Sequence, residues 1–332
     1  MPVFFSHPSS LEHDTGPGHP ECADRIRAIE AELQARDWLG YERREAPEAT
    51  HEQLLAVHPK TYIEFVRETC RRAGAFDLDT PTSGEGSWQA ALRAAGGACA
   101  LVDALLAGER AGFSALRPPG HHAERSTAMG FCLFANVAIA ARHALASGAE
   151  RVLVLDWDVH HGNGTNAIFH ESREVLFASL HQYPFWPGSG ALDDVGAGRG
   201  EGYSLNLPVP AGGGEDEFCG LVEHVVLPVA RAFDPDLVLV SAGYDAHRDD
   251  PLAGCNLATG SYAQLGLLIR SLGKPVGYVL EGGYDLGALA ASVAASMESL
   301  ASGGEPASFP RGPLVEQATA VLGRYWELSS PA

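Results

Sequence analysis

The chain has 332 residues and 45% hydrophobic content, an ordinary globular composition with ample apolar residues for a sizeable core in one large α/β domain or two ordinary ones. Its formal charge of −19, from 23 Lys and Arg against 42 Asp and Glu, argues against a nonspecific grip on nucleic acid and leaves plain solubility or attraction for cationic partners. Six scattered cysteines with no C-x-x-C pair exclude a zinc knuckle or disulfide framework, and the absence of a signal-peptide pattern or a run of 18 apolar residues sets the expectation of a cytoplasmic protein without a membrane span.

In chain order, Val3 to Ser6 predicts a short strand, followed by a Gly/Pro-broken loop, EHDTGPGHPEC, and a helix from Asp24 to about Arg36. His7, His13 and His19 sit in or beside that loop and carry no assigned role. His51 to Cys70 reads as helical with a break at Pro59, the stretch from Phe76 to Ser87 as a polar loop able to cross a surface opening, and Trp88 to Ala107 as an Ala-rich helix. Gly112 to Leu116 predicts a strand that ends in Arg117-Pro118-Pro119-Gly120-His121-His122, where a stiff backbone holds two imidazoles. Asn136 to Ala146 is the next predicted helix.

The most informative stretch is RVLVLDWDVHHGNGT, Arg151 to Thr165. Val152 to Leu155 read as a strand buried on both faces. Asp156, Asp158 and His160 follow at alternate positions, on one face if the extended backbone persists, roughly 7 Å apart per step. Carboxylates and an imidazole at a buried strand end cost desolvation energy that a cation offsets, so Asp158 and His160 are candidate metal ligands. A solvated strand end or a cap on the Gly162-Asn163-Gly164 turn is the plainer reading of either residue alone.

Val175 to Leu180 predicts a strand leading to the aromatic loop His181 to Gly188, which suits a rim or lid. Phe218 to Phe233 reads as a helix, Asp236 to Ser241 as a strand delivering Gly243-Tyr244-Asp245, and Val276 to Leu280 as a strand delivering Gly282-Gly283-Tyr284. Residues 302–313 form a Gly/Ser/Pro-rich connector to a terminal helix, Leu314 to Leu328, so residues 1–332 read as one domain. Alternating strands and helices predict a doubly wound, mainly parallel α/β sheet with helices on both faces and ligands bound beyond the carboxyl ends of the strands. His121/His122, Asp156/Asp158/His160, Asp245 and Tyr284 come from four such ends. Asp158, His160 and Asp245 make a three-ligand metal set that suits zinc and also accepts iron(II), cobalt or manganese. With a histidine to take a proton from metal-activated water and Tyr284 to donate to an oxyanion, the parts describe amide hydrolysis.

RPPGHHAE, GFCLFANVA, VLDWDVHHGNGT, SAGYDAHRDDPLAG and LEGGYD resemble the zinc-dependent histone deacetylase family, class II and bacterial amidohydrolase members in particular, over about Val3 to Leu300. The resemblance implies an arginase/deacetylase-like fold and one Zn2+ on Asp158, His160 and Asp245. It makes His122 the general base and acid, His121 its electrostatic partner, Asp156 and Asn163 the residues that orient them, and Tyr284 the group that polarises the acyl carbonyl. Phe131, with Gly130 before it, and Trp186 would wall an acyl-lysine tunnel, with Leu252 at its entrance and Asp79 on its rim. Structural potassium is also implied, one site around Asp156, Asp158, His160, Ser179 and Leu180 and another around Phe169, Ser172, Val175 and Tyr203. The expected substrate is an acetylated lysine peptide or protein, or a small acylated amine, with no nucleic acid or membrane partner. Within the same fold, a polyamine deacetylase is disfavoured by the apolar Leu252, and an arginase-like two-manganese site by His247 where a second carboxylate is needed. A noncatalytic acyl-lysine binding module is disfavoured by the retained histidines and Tyr284.

Overall fold

A computed structural model describes residues 1–328, and the last four residues of the expected domain lie outside the described ones. Eight parallel strands form one sheet: β1 (Val3–Ser6), β2 (Glu42–Glu45), β3 (Ala111–Ser114), β4 (Val152–Asp156), β5 (Val175–Gln182), β6 (Ser204–Val209), β7 (Leu237–Ala242) and β8 (Val276–Leu280). Their order across the sheet is β2-β1-β3-β8-β7-β4-β5-β6. Every pairing is parallel, so the expected doubly wound sheet is wholly rather than mainly parallel.

The central strands are apolar on both faces because both faces are covered. Leu153 and Leu155 of β4 join Val238 and Val240 of β7 in one core layer, while Val152, Val154, Leu237 and Leu239 join the opposite one. Each leucine buried in this way contributes roughly 2–3 kcal/mol. One face carries α1 (Asp24–Ala35), α9 (Thr259–Arg270) and α10 (Leu286–Ser302); the other carries α2 (His51–Leu55), α3 (Lys60–Arg71), α4 (Glu85–Leu106) and α5 (Asn136–Ala146). By length and composition α4 could cross a membrane, but 72% of its apolar window is buried in this protein. Its glycines serve that packing, since a Cβ on Gly96 would lie 2.1 Å from the Pro47 carbonyl.

Several elements differ from the sequence expectation. β4 stops at Asp156 and residues 158–160 bend, so Asp158 and His160 project from a turn rather than from a continued strand. Residues 163–169 wind into α6 (Asn163–Phe169), where only a turn was expected. β2 (Glu-Arg-Arg-Glu) and β6, which contains Pro208, lack the apolar signature of a central strand because they are the two edges. The helical stretch expected from Phe218 to Phe233 is α7 (Glu215–Leu221), a π-helical turn (Val222–Val226) and α8 (Leu227–Phe233). Pro228 has no N–H to continue the α ladder there. After α10 the chain runs without a regular element to α11 (Pro313–Leu322), shorter than the predicted terminal helix.

Candidate active site

The four central strands, β3, β8, β7 and β4, release their polar loops at the same edge of the sheet. His121 and His122 follow β3, Tyr284 follows β8, Asp245 follows β7, and Asp156, Asp158 and His160 end or follow β4. Chain order and sheet order differ, which is how groups from distant segments reach one place.

Asp158, His160 and Asp245 each offer one ligand atom, and these atoms lie within 4.8 Å of one another. His160 Nδ1 is 3.0 Å from Asp245 Oδ2 and 3.2 Å from Asp158 Oδ1. Backbone amides aim the carboxylates: Gly282 N donates to Asp158 Oδ2 at 2.8 Å, and Val159 N to Asp245 Oδ1 at 2.9 Å. Burial, with the Asp158 charge adding to it, pushes the Asp245 carboxyl up to about 7. Burial opposes charge on His160 as well, yet hydrogen bonds to Asp158 and Asp245 outweigh it and raise this imidazole to about 10. Two buried carboxylates and an imidazole converging in this way form a donor set that a divalent cation fits and whose repulsion it would relieve.

Beside the triad the two histidine rings lie 3.9 Å apart. His121 Nδ1 is 3.0 Å from Asp156 Oδ2, and His122 Nδ1 is 2.8 Å from Asn163 Oδ1. Asn163 Nδ2 donates to Glu124 Oε1 at 3.1 Å, so its oxygen faces His122, which must donate from Nδ1 and keep Nε2 as an acceptor. The environments push the pair apart. For His121, burial is overridden by the Asp158 and Asp156 charges and the imidazolium is held well above the usual histidine range; for His122, burial reinforced by His121 and His160 drives it well below. The surroundings thus favour charge on His121 and the neutral form of His122.

A cavity of about 580 Å³ opens onto these groups, and Phe131, Gly130, Trp186, Leu252, Asp79 and Tyr284 all line it. Gly130 (φ 56°) and Phe131 (φ 69°) are both left-handed. A Cβ on Gly130 would lie 2.6 Å from both His122 Cδ2 and Trp186 Cη2, so glycine permits the 4.7 Å edge contact between those rings. Asp250 Oδ2 accepts from Tyr284 N at 2.7 Å while its Oδ1 accepts from Leu252 N at 2.9 Å, tying the tyrosine to the rim. His247 is not among the three converging ligand residues, and its Nδ1 accepts from Asp249 N at 3.2 Å.

The residues expected to hold monovalent cations lie on and beside β4, α6, β5 and β6. Asp156 pairs with Ser179 across β4 and β5, beside Leu180, while Phe169, Ser172 and Val175 surround the turn from α6 into β5 and Tyr203 directly precedes β6.

Some contributors were not singled out from sequence. His19, given no role, lines the cavity, meets Phe131 edge-on at 4.8 Å and bridges to the Asp79 carbonyl at 3.1 Å. Phe185 stacks on His160 at 5.4 Å. Glu281 accepts from Gly120 N at 2.6 Å and His121 N at 3.1 Å, joining the β8 end to the histidine loop. Arg25 lies 5.1 Å from the Tyr284 ring centre, and its position one turn after Glu21 was the only sequence signal of their pairing.

A wholly parallel sheet with a buried Asp-His-Asp set and paired histidines at its strand ends offers the groups that a hydrolase of the metal-assisted class uses. The Histone deacetylase domain family matches residues 19–300, and the chain belongs to that family. It is similar to Histone deacetylase 14, chloroplastic, of Arabidopsis thaliana (40% identical, covering 90% of this chain and 76% of that one). The histone deacetylase-like amidohydrolase of Pseudomonas aeruginosa is 42% identical, over 80% of this chain and 73% of its own. Among solved structures, the HDA15 HD domain superposes with a TM-score of 0.92 at 38% identity, covering 98% of this chain and 95% of that one.

Proposed function

We propose that this protein hydrolyses the amide of Nε-acetyl-lysine in peptides or proteins, with one zinc ion held by Asp158, His160 and Asp245. The observation that carries the reading is the pair of adjacent histidine rings, 3.9 Å apart, with His121 on Asp156 and His122 on Asn163, placed against the ligand set at the base of an aromatic-walled cavity. When bound, zinc supplies Lewis acidity to the acyl carbonyl and an acidified water near neutral pH. Phe131 and Trp186 flank the methylene chain of the substrate. His122 takes the proton of the attacking water at Nε2 and returns it to the leaving amine, while Asn163 fixes its tautomer and Asp156 keeps His121 charged. Tyr284 donates its hydroxyl proton in a hydrogen bond to the acyl oxygen as negative charge develops there. Residues 1–332 act as a single catalytic unit, with potassium at the two cation sites named above in a structural role.

An acetylpolyamine substrate is the second reading, favoured by the charge of −19 and opposed by apolar Leu252 at the cavity. The test is turnover of an acetyl-lysine peptide by metal-stripped protein before and after zinc is restored, with acetylspermidine in parallel. Activity recovered on the peptide is the expected result. Recovery on the polyamine alone, or on neither, overturns the lysine assignment.

A further inference from the structure

Glu21, Arg25 and Arg117 are completely buried, each with 0% exposure, and none of them is a candidate metal ligand or a direct partner of the histidine pair's side chains. Burying such charges is expensive, and apolar replacements of similar volume often stabilise a protein as well or better, so their presence calls for a further reason. Their hydrogen bonds supply one.

Glu21 Oε1 accepts from Arg25 Nη1 at 3.0 Å and from Arg117 Nε, while Oε2 accepts from Arg117 Nη2 at 2.7 Å. The two arginines then reach in different directions. Arg25 donates from Nε to the Gly283 carbonyl at 2.7 Å and from Nη2 to the Glu281 carbonyl at 2.5 Å. Those carbonyls flank Gly282, whose N–H holds Asp158, and that of Gly283 directly precedes Tyr284. Arg117 begins the Arg-Pro-Pro-Gly turn that presents His121 and His122, and its guanidinium is seated on the carbonyls of Ser10, at 2.6 Å, and His13, at 3.1 Å. A single carboxylate therefore joins the segment of the tyrosine to the segment of the histidines. Burial disfavours its charge, but Arg117 and Arg25 override that and hold it down at about 2.

We infer that Glu21 is a positioning residue: clamped between Arg25 and Arg117, its carboxylate sets the Tyr284 loop against the His121–His122 loop. This rests on the proposed hydrolytic function and adds a residue that touches neither substrate nor metal. Glutamine keeps the size but presents an amide N–H where an arginine N–H now points, and aspartate keeps the charge but is one methylene too short to hold both arginines.

The test measures kcat, KM and zinc per chain for the zinc-loaded protein and for Glu21→Gln and Glu21→Asp. Displacing catalytic groups by an ångström costs on the order of 100-fold, so kcat should fall about 100-fold in Glu21→Gln and at least about tenfold in Glu21→Asp, with KM and zinc content unchanged. A purely structural residue would lower activity only in proportion to the folded, zinc-loaded fraction. A kcat per bound zinc within twofold of the parent in both variants would overturn the inference, and so would failure of both to fold, which would make Glu21 a folding residue. Each ratio is taken on whichever acylated amine the parent hydrolyses, so parent inactivity on acetyl-lysine refutes the substrate reading and leaves the role of Glu21 to be judged separately.

Discussion

Replacing Gly282 by alanine tests whether the ligand set is held by its surroundings as tightly as the geometry indicates. A Cβ there would lie 2.3 Å from Asp245 Oδ2 and 2.6 Å from Asp158 Oδ2, both about 1 Å inside ordinary contact. The backbone cannot easily retreat, because Arg25 grips the carbonyls on either side and Gly282 N is bound to Asp158. Either the carboxylates rotate off their amide donors, which should weaken zinc binding by about 10- to 100-fold, or the loop shifts with overpacking strain of about 1–3 kcal/mol. Zinc affinity measured by competition with a chromogenic chelator, together with urea unfolding of the metal-free protein, separates the two outcomes. Gly260→Ala is the control, since nothing lies within 4 Å of its added methyl in the first turn of α9. A Gly282→Ala protein with the parent's zinc affinity and the parent's stability would refute the reasoning.

Tyr284→Phe should lower kcat by roughly 100-fold while zinc stays stoichiometric, because one donor to the acyl oxygen is lost; unchanged turnover would remove the tyrosine from the reaction. Stability should also fall in mild acid. Burial brings His13, His58 and His181 down to about 4, so their neutral forms contribute stability that is complete above pH 6.5 and is lost as pH falls from 6.5 through 4. Each contributes up to about 3 kcal/mol by linkage, and His161, brought down to about 3, adds a fourth, while Glu281 and Asp245, raised to about 7, and Asp156, raised to about 6, work the other way as pH falls and offset about three of the four. The urea midpoint should therefore decline from pH 6.5 to 4, and a midpoint that rises over that range would contradict the assignment.

The site was most legible where polar residues interrupt an apolar run. Asp158, His160 and Asp245 stand out because Val152–Leu155 and Leu237–Val240 are too hydrophobic to end in carboxylates without a reason. The distribution of roles among His121, His122, Asn163 and Tyr284 came from family resemblance, and the structure brings the histidines onto Asp156 and Asn163 at hydrogen-bond distance. Glu21, Arg25 and Arg117 were hidden for the opposite reason: charged residues beside a Gly/Pro loop look solvated, and only the fold reveals that water is excluded from all three. The edge strands were equally obscure, since β2 has no apolar residue and β6 carries a proline. His19 could not be distinguished from a surface histidine until its loop was seen against Phe131 and Asp79.

His160 and Asp245 are separated by 85 residues of chain, yet they leave neighbouring strands at equal distances beyond the paired residues Asp156 and Ser241. The intervening segment contains β5 and β6, which pack outward from β4, before the chain returns to form β7 on its other side. No ion can bridge these ligands until that return is complete, so a metal bound here would join the chain after its sheet has assembled rather than nucleate it. Metal-free protein should accordingly fold on its own core, with zinc adding stability that grows with the logarithm of its free concentration.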